Sequence, residues 1–298
     1  RVAAVAVNPI DTYIRSGAVA MQLPQPFIVG CDLAGTVAAV GSGVSRFKVG
    51  DRVWGSNQGL LGRQGTFAEL AAVDEDWLYA TPEGVRDEDA AAIALVGITA
   101  HLGLFRDGKL KPGETVFING GSGGVGSTVL QMAKAVGARA IVTAGSPEKL
   151  EVCRKLGADV GINYKQDDVA TKIRETAPEG VNLWWETTRD ANFDLAVSSL
   201  AACGRMILMA GREARPPFPV GPFYVKGCSL HGFAMFNATA DEQQVCGAEI
   251  GRWLAEGKLR PHIDRVLPLA EAAQAHRLQE ENTLGKAGTL CGKIVLTA

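Results

Sequence analysis

"FINGGSGGVGSTVLQMAK", Phe117–Lys134, sets five glycines within the seven residues 120–126, between a short apolar run and a segment of helical period. Gly121-Ser122-Gly123-Gly124-Val125-Gly126 fits the pattern G-x-G-x-x-G. There the first glycine permits a tight turn, the second lets backbone approach a pyrophosphate, and the third lets helix pack on strand. Unpaired N–H groups and the positive end of the helix favour phosphate oxygens. The pattern alone is weak, because glycine-rich turns are common. Its position between strand and helix turns it into an expected dinucleotide cradle.

Outward from the loop, strand-like and helix-like segments alternate, which predicts parallel β-α-β units and a doubly wound α/β domain. Thr115–Ile118 reads as a strand, and the following helix places Val125, Val129, Met132 and Val136 on one face before stopping at Gly137. Ala140–Thr143 is the second strand; Ser146 then reads as a helix N-cap with Pro147 in the first turn, and Gly157 closes that helix. Further strands are expected at Val160–Ile162, Val181–Glu186, Met206–Met209 and Ser229–Phe233, with helices near Phe193–Cys203 and Ala240–Leu254 and a final β-like "GKIVLT". Before about Ala90 the chain is glycine-rich with short β-like runs such as "LAGTVAAVG" (Leu33–Gly41) and "VGDRVWG" (Val49–Gly55).

Composition narrows the function classes. Over 298 residues, 47% are apolar and 21% charged, as expected of a globular chain with sizeable cores. A formal net charge of −2 offers no broad attraction to nucleic acid or anionic membrane. No apolar run reads as a membrane span and no signal peptide opens the chain. The six cysteines are scattered, which reads as reduced thiols in a cytoplasmic setting. The chain already reads as strand at Arg1, as though its beginning lay upstream.

Cofactor choice turns on the end of the second strand. An NAD site usually carries an acid there for the ribose 2′-hydroxyl. This chain has Ala144-Gly145-Ser146, with Lys149 one helical turn on. A small hydroxyl and an ammonium accommodate a 2′-phosphate, whereas a carboxylate repels it. The expectation is NADPH; Lys149 as a solvated helix face, or Glu148 as a displaced acid, is the competing reading.

"NPIDTYIRSG" (Asn8–Gly17), "VGCDLAGTVAAVG" (Val29–Gly41), "VGDRVWG", "GITA" (Gly97–Ala100) and "GGSGGVG" occur in this order. The order resembles that of the zinc-free medium-chain dehydrogenase/reductases, and most of all the NADPH:quinone oxidoreductases of the ζ-crystallin group. The resemblance implies a GroES-like β-rich catalytic domain at 1–92, N-terminally incomplete, a Rossmann NADP-binding domain at 93–234, and a return to the catalytic domain at 235–298. It implies that Gly145, Ser146, Lys149 and Tyr164 lie at the 2′-phosphate and that Thr99 lies near the nicotinamide. It further implies cofactor contacts at Gly211, Phe233 and Lys293, active-site positions at Asn8 and Tyr13, and a homodimer.

The chain departs from that pattern at "WWETTRDANF" (Trp184–Phe193), which leaves Thr187 as an irregular cofactor contact, and at the proline-rich Arg212–Gly227. The alternative short-chain pattern, through Gly120, Gly124 and Gly126, lacks its Tyr-x-x-x-Lys partner, since none of Tyr13, Tyr79, Tyr164 or Tyr224 has lysine four residues on. Trp184 and Trp185 read as alternating core and surface positions of one strand.

No metal site is expected. Val5-Ala6-Val7 precede Asn8, Asp32 follows Cys31, no cysteine lies between Val53 and Phe67, and the four histidines stand apart from the cysteines. Cys31 reads as a small core residue. Quinones and conjugated carbonyls are electrophilic enough to accept hydride without a Lewis acid, so the expected reaction is NADPH-dependent quinone reduction. Asn8 would orient the nicotinamide or substrate carbonyl, and Tyr13 would stabilise an oxyanion or supply a proton. Asn8-Pro9 reads equally as a plain turn, and Tyr13 as a packed aromatic. An enone or enoyl reductase, or a non-catalytic NADPH-binding, crystallin-like protein, remains the alternative.

Overall fold

The computed structural model describes residues 1–298 as two compact units, Arg1–Ile98 with Ala238–Ala298, and Thr99–Asn237. The first unit opens with β1 (Val2–Val7), α1 (Pro9–Arg15), β2 (Leu33–Thr36), β3 (Arg52–Gly55) and β4 (Leu78–Ala80), followed by helix α2 (Asp87–His101). The second unit carries β5 (Thr115–Asn119), α3 (Gly124–Ala135), β6 (Arg139–Ala144), α4 (Pro147–Lys155) and β7 (Val160–Asn163). It continues through α5 (Val169–Thr176), β8 (Val181–Glu186), α6 (Phe193–Ser199), β9 (Leu200–Leu208), α7 (Val220–Val225) and β10 (Ser229–Gly232). The chain then rejoins the first unit with α8 (Ala240–Ala255), β11 (Ile263–Pro268), α9 (Ala272–Thr283) and β12 (Lys293–Thr297).

In the first unit six strands lie in the order β11-β12-β1-β2-β3-β4. β1 is the central strand, antiparallel to both β2 and β12. Its "VAAVAV" has no polar residue to spare for a wet face, and it is buried along nearly its whole length. Val2, Val5 and Val7 pack with Leu33, Val53, Ile294 and Leu296 beneath α9. Antiparallel pairing aligns Ala4 with Thr297 and Val7 with Ile294. One residue beyond, the register sets Asn8 opposite Lys293, which links the two ends of the chain at the candidate site.

The second unit is a parallel six-stranded sheet in the order β10-β9-β8-β5-β6-β7. Helices after successive strands cover both faces, so the strands are apolar throughout rather than alternating. Phe117, Ile141, Ile162, Trp184 and Met206 line one face, with the Phe117 and Trp184 rings 4.1 Å apart. Trp185 is buried too, not at the surface as simple alternation predicts. It points to the opposite face, where its ring fills the space that a Cβ on Gly103 would need. Gly103 belongs to a π-helical turn, Leu102–Asp107, that continues α2. Asp87–Asp107 is long and apolar enough to cross a membrane, yet 78% of its apolar window is buried in the protein, as in a core helix.

Candidate functional site

The strand order of the second unit reverses between β5 and β8, and ligands of such sheets lie outside the carboxyl ends of the strands at that point. The glycine loop occupies this position, joining β5 to α3. Gly120 has φ +89° and Gly121 donates its N–H to Thr143 O at 2.8 Å. A Cβ on Gly121 would stand 2.6 Å from Val142 Cβ, and one on Gly126 would strike the Gly120 carbonyl. No other residue closes the turn that tightly. Ser122 is buried, Gly123 is the N-cap of α3, and Gly124, Val125 and Gly126 form its first turn. That turn has N–H groups with no intrahelical acceptor, which is the donor set a pyrophosphate requires.

Next to the loop, at the end of β6, Ser146 caps α4 by accepting from the Lys149 N–H at 3.4 Å, with Pro147 in the first turn as the sequence predicts. Gly145 leaves room for the Tyr164 hydroxyl, which lies 2.5 Å from where a Cβ would be. Tyr164 is 52% exposed and follows β7, so its hydroxyl meets Gly145 at the carboxyl ends of β6 and β7, where Ser146 and Lys149 open α4. The Thr187 N–H and hydroxyl both donate to Asn119 O, which ties the end of β8 to the loop. Gly211 turns at φ +80° against the Arg189 carbonyl after β9. Phe233, after β10, packs on Gly103 with the Arg106 guanidinium 5.6 Å from its ring centre. Thr99 is buried in the last turn of α2.

The first unit holds a second polar cluster that is almost wholly buried: Asn8, Asp11, Cys31, Asp32, Ser56 and Lys293. Asn8 is the N-cap of α1 and not a plain turn. Asp11 reaches back to the Asn8 N–H at 2.8 Å, which leaves the Asn8 side chain free to turn inward. Its Nδ2 donates to Asp32 Oδ2 at 2.7 Å and to Ala6 O at 3.3 Å, while its Oδ1 accepts from Lys293 Nζ. Lys293 also donates to Val7 O at 2.7 Å, and Asp32 Oδ1 accepts from Ser56 Oγ at 2.7 Å and from Leu95 N at 3.1 Å.

Burial dominates the electrostatics of this cluster. It pushes the Asp32 carboxyl up to about 7, against the opposing pull of Lys293, Asn8 and Ser56. Burial also raises Asp11 and Cys31 and lowers Lys293, whose charge Asp32 and Asp11 partly sustain. Tyr13 is half-buried on α1, where its carbonyl accepts from Val19 N at 3.1 Å.

Sequence reasoning names Asn8 and Lys293 but misses Asp11, Asp32 and Ser56, which hold them. Asp11 was within reach, since Asn8-Pro9-Ile10-Asp11 has the spacing of a helix cap. No local pattern announces Asp32 or Ser56. The acid and amide beneath the glycine loop, Glu186 and Asn119, are missed for the same reason.

Two family models match the chain: "Alcohol dehydrogenase GroES-like domain" over residues 1–83 and "Zinc-binding dehydrogenase" over residues 124–248. The chain is 37% identical over 279 residues to a quinone oxidoreductase of Sus scrofa, covering 93% of this chain and 83% of that one. It is 33% identical over 297 residues to the quinone oxidoreductase of Homo sapiens, covering 99% and 87%. The chain is a medium-chain dehydrogenase/reductase. Among solved structures, this oxidoreductase resembles the Escherichia coli quinone oxidoreductase complexed with NADPH, with a TM-score of 0.85, 27% identity, and 100% and 90% of the two chains covered. It equally resembles an NAD-dependent alcohol dehydrogenase, with a TM-score of 0.89, 31% identity, and the same coverage.

The name of the second family model implies zinc, which the residues of this medium-chain dehydrogenase/reductase do not fit. No three His, Cys, Asp or Glu side chains converge as a ligand set. Cys31 holds its proton, Asp32 is already engaged by Asn8 and Ser56, and the Lys293 ammonium lies among them, where it repels a cation. A nicotinamide dinucleotide does fit, on the glycine cradle and the capped start of α4.

Proposed function

We propose that this protein reduces quinones by hydride transfer from NADPH without zinc. The observation that carries the cofactor half is the end of β6, where Gly145, Ser146, Lys149 and Tyr164 replace the acid of an NAD site. When bound, the dinucleotide supplies the hydride; the protein supplies orientation and hydrogen bonds. The cradle Gly121–Gly126 holds the pyrophosphate, and Lys149 faces the 2′-phosphate. Thr99, Gly211 and Phe233 border the nicotinamide half.

Asn8 orients a carbonyl oxygen by exchanging the longer of its two N–H contacts, the 3.3 Å bond to Ala6 O, while Lys293 and Asp32 keep its amide from turning. Tyr13 stabilises the developing oxyanion or supplies its proton. Quinones and conjugated carbonyls suit such a site because they need little polarisation before accepting hydride. The same reading includes a homodimer through the open edge of β10, where Leu230 is exposed, and a reducing cytoplasm for six cysteines that stay as thiols.

The test is NADPH oxidation with a panel of quinones and acyclic enones. Turnover should be fastest with quinones such as 1,4-benzoquinone. Turnover confined to enones would replace the substrate class, and tight NADPH binding with no turnover on any acceptor would make the protein a binder.

A further inference from the structure

A file of side-chain hydrogen bonds runs beneath the glycine loop and ends at Glu186, the fully buried last residue of β8. The Gly120 N–H donates to Thr143 Oγ1 at 2.9 Å, and the Thr143 hydroxyl donates to Asn119 Oδ1 at 2.8 Å. Asn119 Nδ2 then donates to both carboxylate oxygens of Glu186 at 3.0 Å. Sheet register makes the file possible: Asn119 pairs with Glu186 across β5 and β8, and Ile118 pairs with Val142 on the other side, one residue before Thr143.

Every other partner of Glu186 is also a donor. Trp184 Nε1 lies 3.2 Å away, Thr188 N 2.7 Å and Thr188 Oγ1 2.6 Å. None of them is a cation. With donors on every side both Glu186 oxygens act as acceptors, so Asn119 has to present its nitrogen to Glu186 and its oxygen to Thr143. The Thr143 hydroxyl is then committed to Asn119, and its lone pair is left for the Gly120 N–H. Thr187 completes the brace by donating to Asn119 O from the space beside Gly120 where a Cβ would lie.

We propose that Glu186 is a positioning residue for dinucleotide binding: as the accept-only end of this file, it sets the hydrogen-bond polarity that holds Gly120 and the glycine cradle in phosphate-binding shape. The proposal rests on reading the loop as a dinucleotide cradle. In Glu186→Gln an NH₂ group faces donors whichever way it turns. Relief requires Asn119 to flip, which takes the acceptor away from the Thr143 O–H and sets two donors, Asn119 Nδ2 and the Gly120 N–H, on its oxygen. Pairing Glu186→Gln with Asn119→Asp restores the contact between the two positions, since the new carboxylate accepts both from the Thr143 hydroxyl and from the side-chain amide introduced at position 186; only Trp184 Nε1 is then left facing a donor.

The experiment is titration of NADPH and NADH by fluorescence, with Tm measured alongside, for the wild type, Glu186→Gln, Glu186→Gln with Asn119→Asp, and Thr143→Val. Glu186→Gln and Thr143→Val should each weaken both dinucleotides about tenfold, and the exchange should recover most of that affinity over Glu186→Gln alone. Thr143→Val removes the hydroxyl without disturbing the Glu186 surroundings, so it carries the test if Glu186→Gln does not fold. Unchanged affinity in either folded single variant, or a loss that the exchange leaves unrepaired, would overturn the proposal. A wild type that binds neither dinucleotide would overturn the cofactor reading, and this proposal with it.

Discussion

Lys293 Nζ donates to Asn8 Oδ1 in the buried interior of the first unit, between residues 285 positions apart in sequence. The antiparallel register of β1 and β12 creates that pairing, and Asp32 completes it from the other end of the Asn8 amide. Lys293 is therefore placed to hold Asn8: two of its ammonium's donors go to the Asn8 side chain and the Val7 carbonyl.

Lys293→Met leaves Asp32 buried without its cation and Asn8 free to turn. Leaving the Asn8 and Val7 oxygens buried without their donor costs about 1–3 kcal/mol. Urea unfolding should show a loss of that size, while the NADPH dissociation constant, which the proposed function assigns to the second unit, stays near the wild-type value. Weakened NADPH binding at unchanged stability would make Lys293 a cofactor contact instead.

Asp32 makes stability depend on pH in an unusual direction. Its folded-state carboxyl is pushed up to about 7, chiefly by burial, from an ordinary value near 4. The folded protein thus retains a proton that the unfolded chain releases. The contribution is full below about pH 4 and is lost as pH rises through about 7. Between these limits the wild type should lose stability relative to Asp32→Asn, as measured by urea unfolding of both proteins. A pH-independent difference would contradict the assignment.

His276 acts in the opposite sense. Its ring stands edge-on to Phe67 at 5.6 Å, and neither ring nitrogen has a hydrogen-bond partner. Burial, with help from Arg15 and against Glu280, lowers its affinity for a proton. The folded state keeps it neutral, so its contribution is present above about pH 6.5 and lost as pH falls below it. His276→Phe should raise stability by about 1 kcal/mol at neutral pH and reduce the loss on acidification. Equal acid sensitivity in the two proteins would place the effect elsewhere.

The parts of the fold set by local pattern were readable in advance. The β-α-β rhythm, the Ser146-Pro147 cap and the strand Val181–Glu186 depend on neighbours in sequence, and the structure has each of them. Trp185 shows where local pattern stops, because whether a strand is covered on both faces depends on what packs there; here it is Gly103 from a distant turn. The candidate site divides in the same way. The glycine cradle is one continuous loop, whereas the cluster around Asn8 draws on residues from four separate stretches, and only the register of β1 with β12 brings Lys293 among them.

The central claim is an NADPH site at Gly145, Ser146 and Lys149, and the most direct measurement is the rate of NADPH against NADH oxidation with 1,4-benzoquinone in the wild type and Lys149→Ala. The wild type should prefer NADPH, and Lys149→Ala should raise the KM for NADPH about tenfold while leaving that for NADH unchanged. Equal use of NADH by the wild type, or an unaltered KM for NADPH in Lys149→Ala, would contradict it.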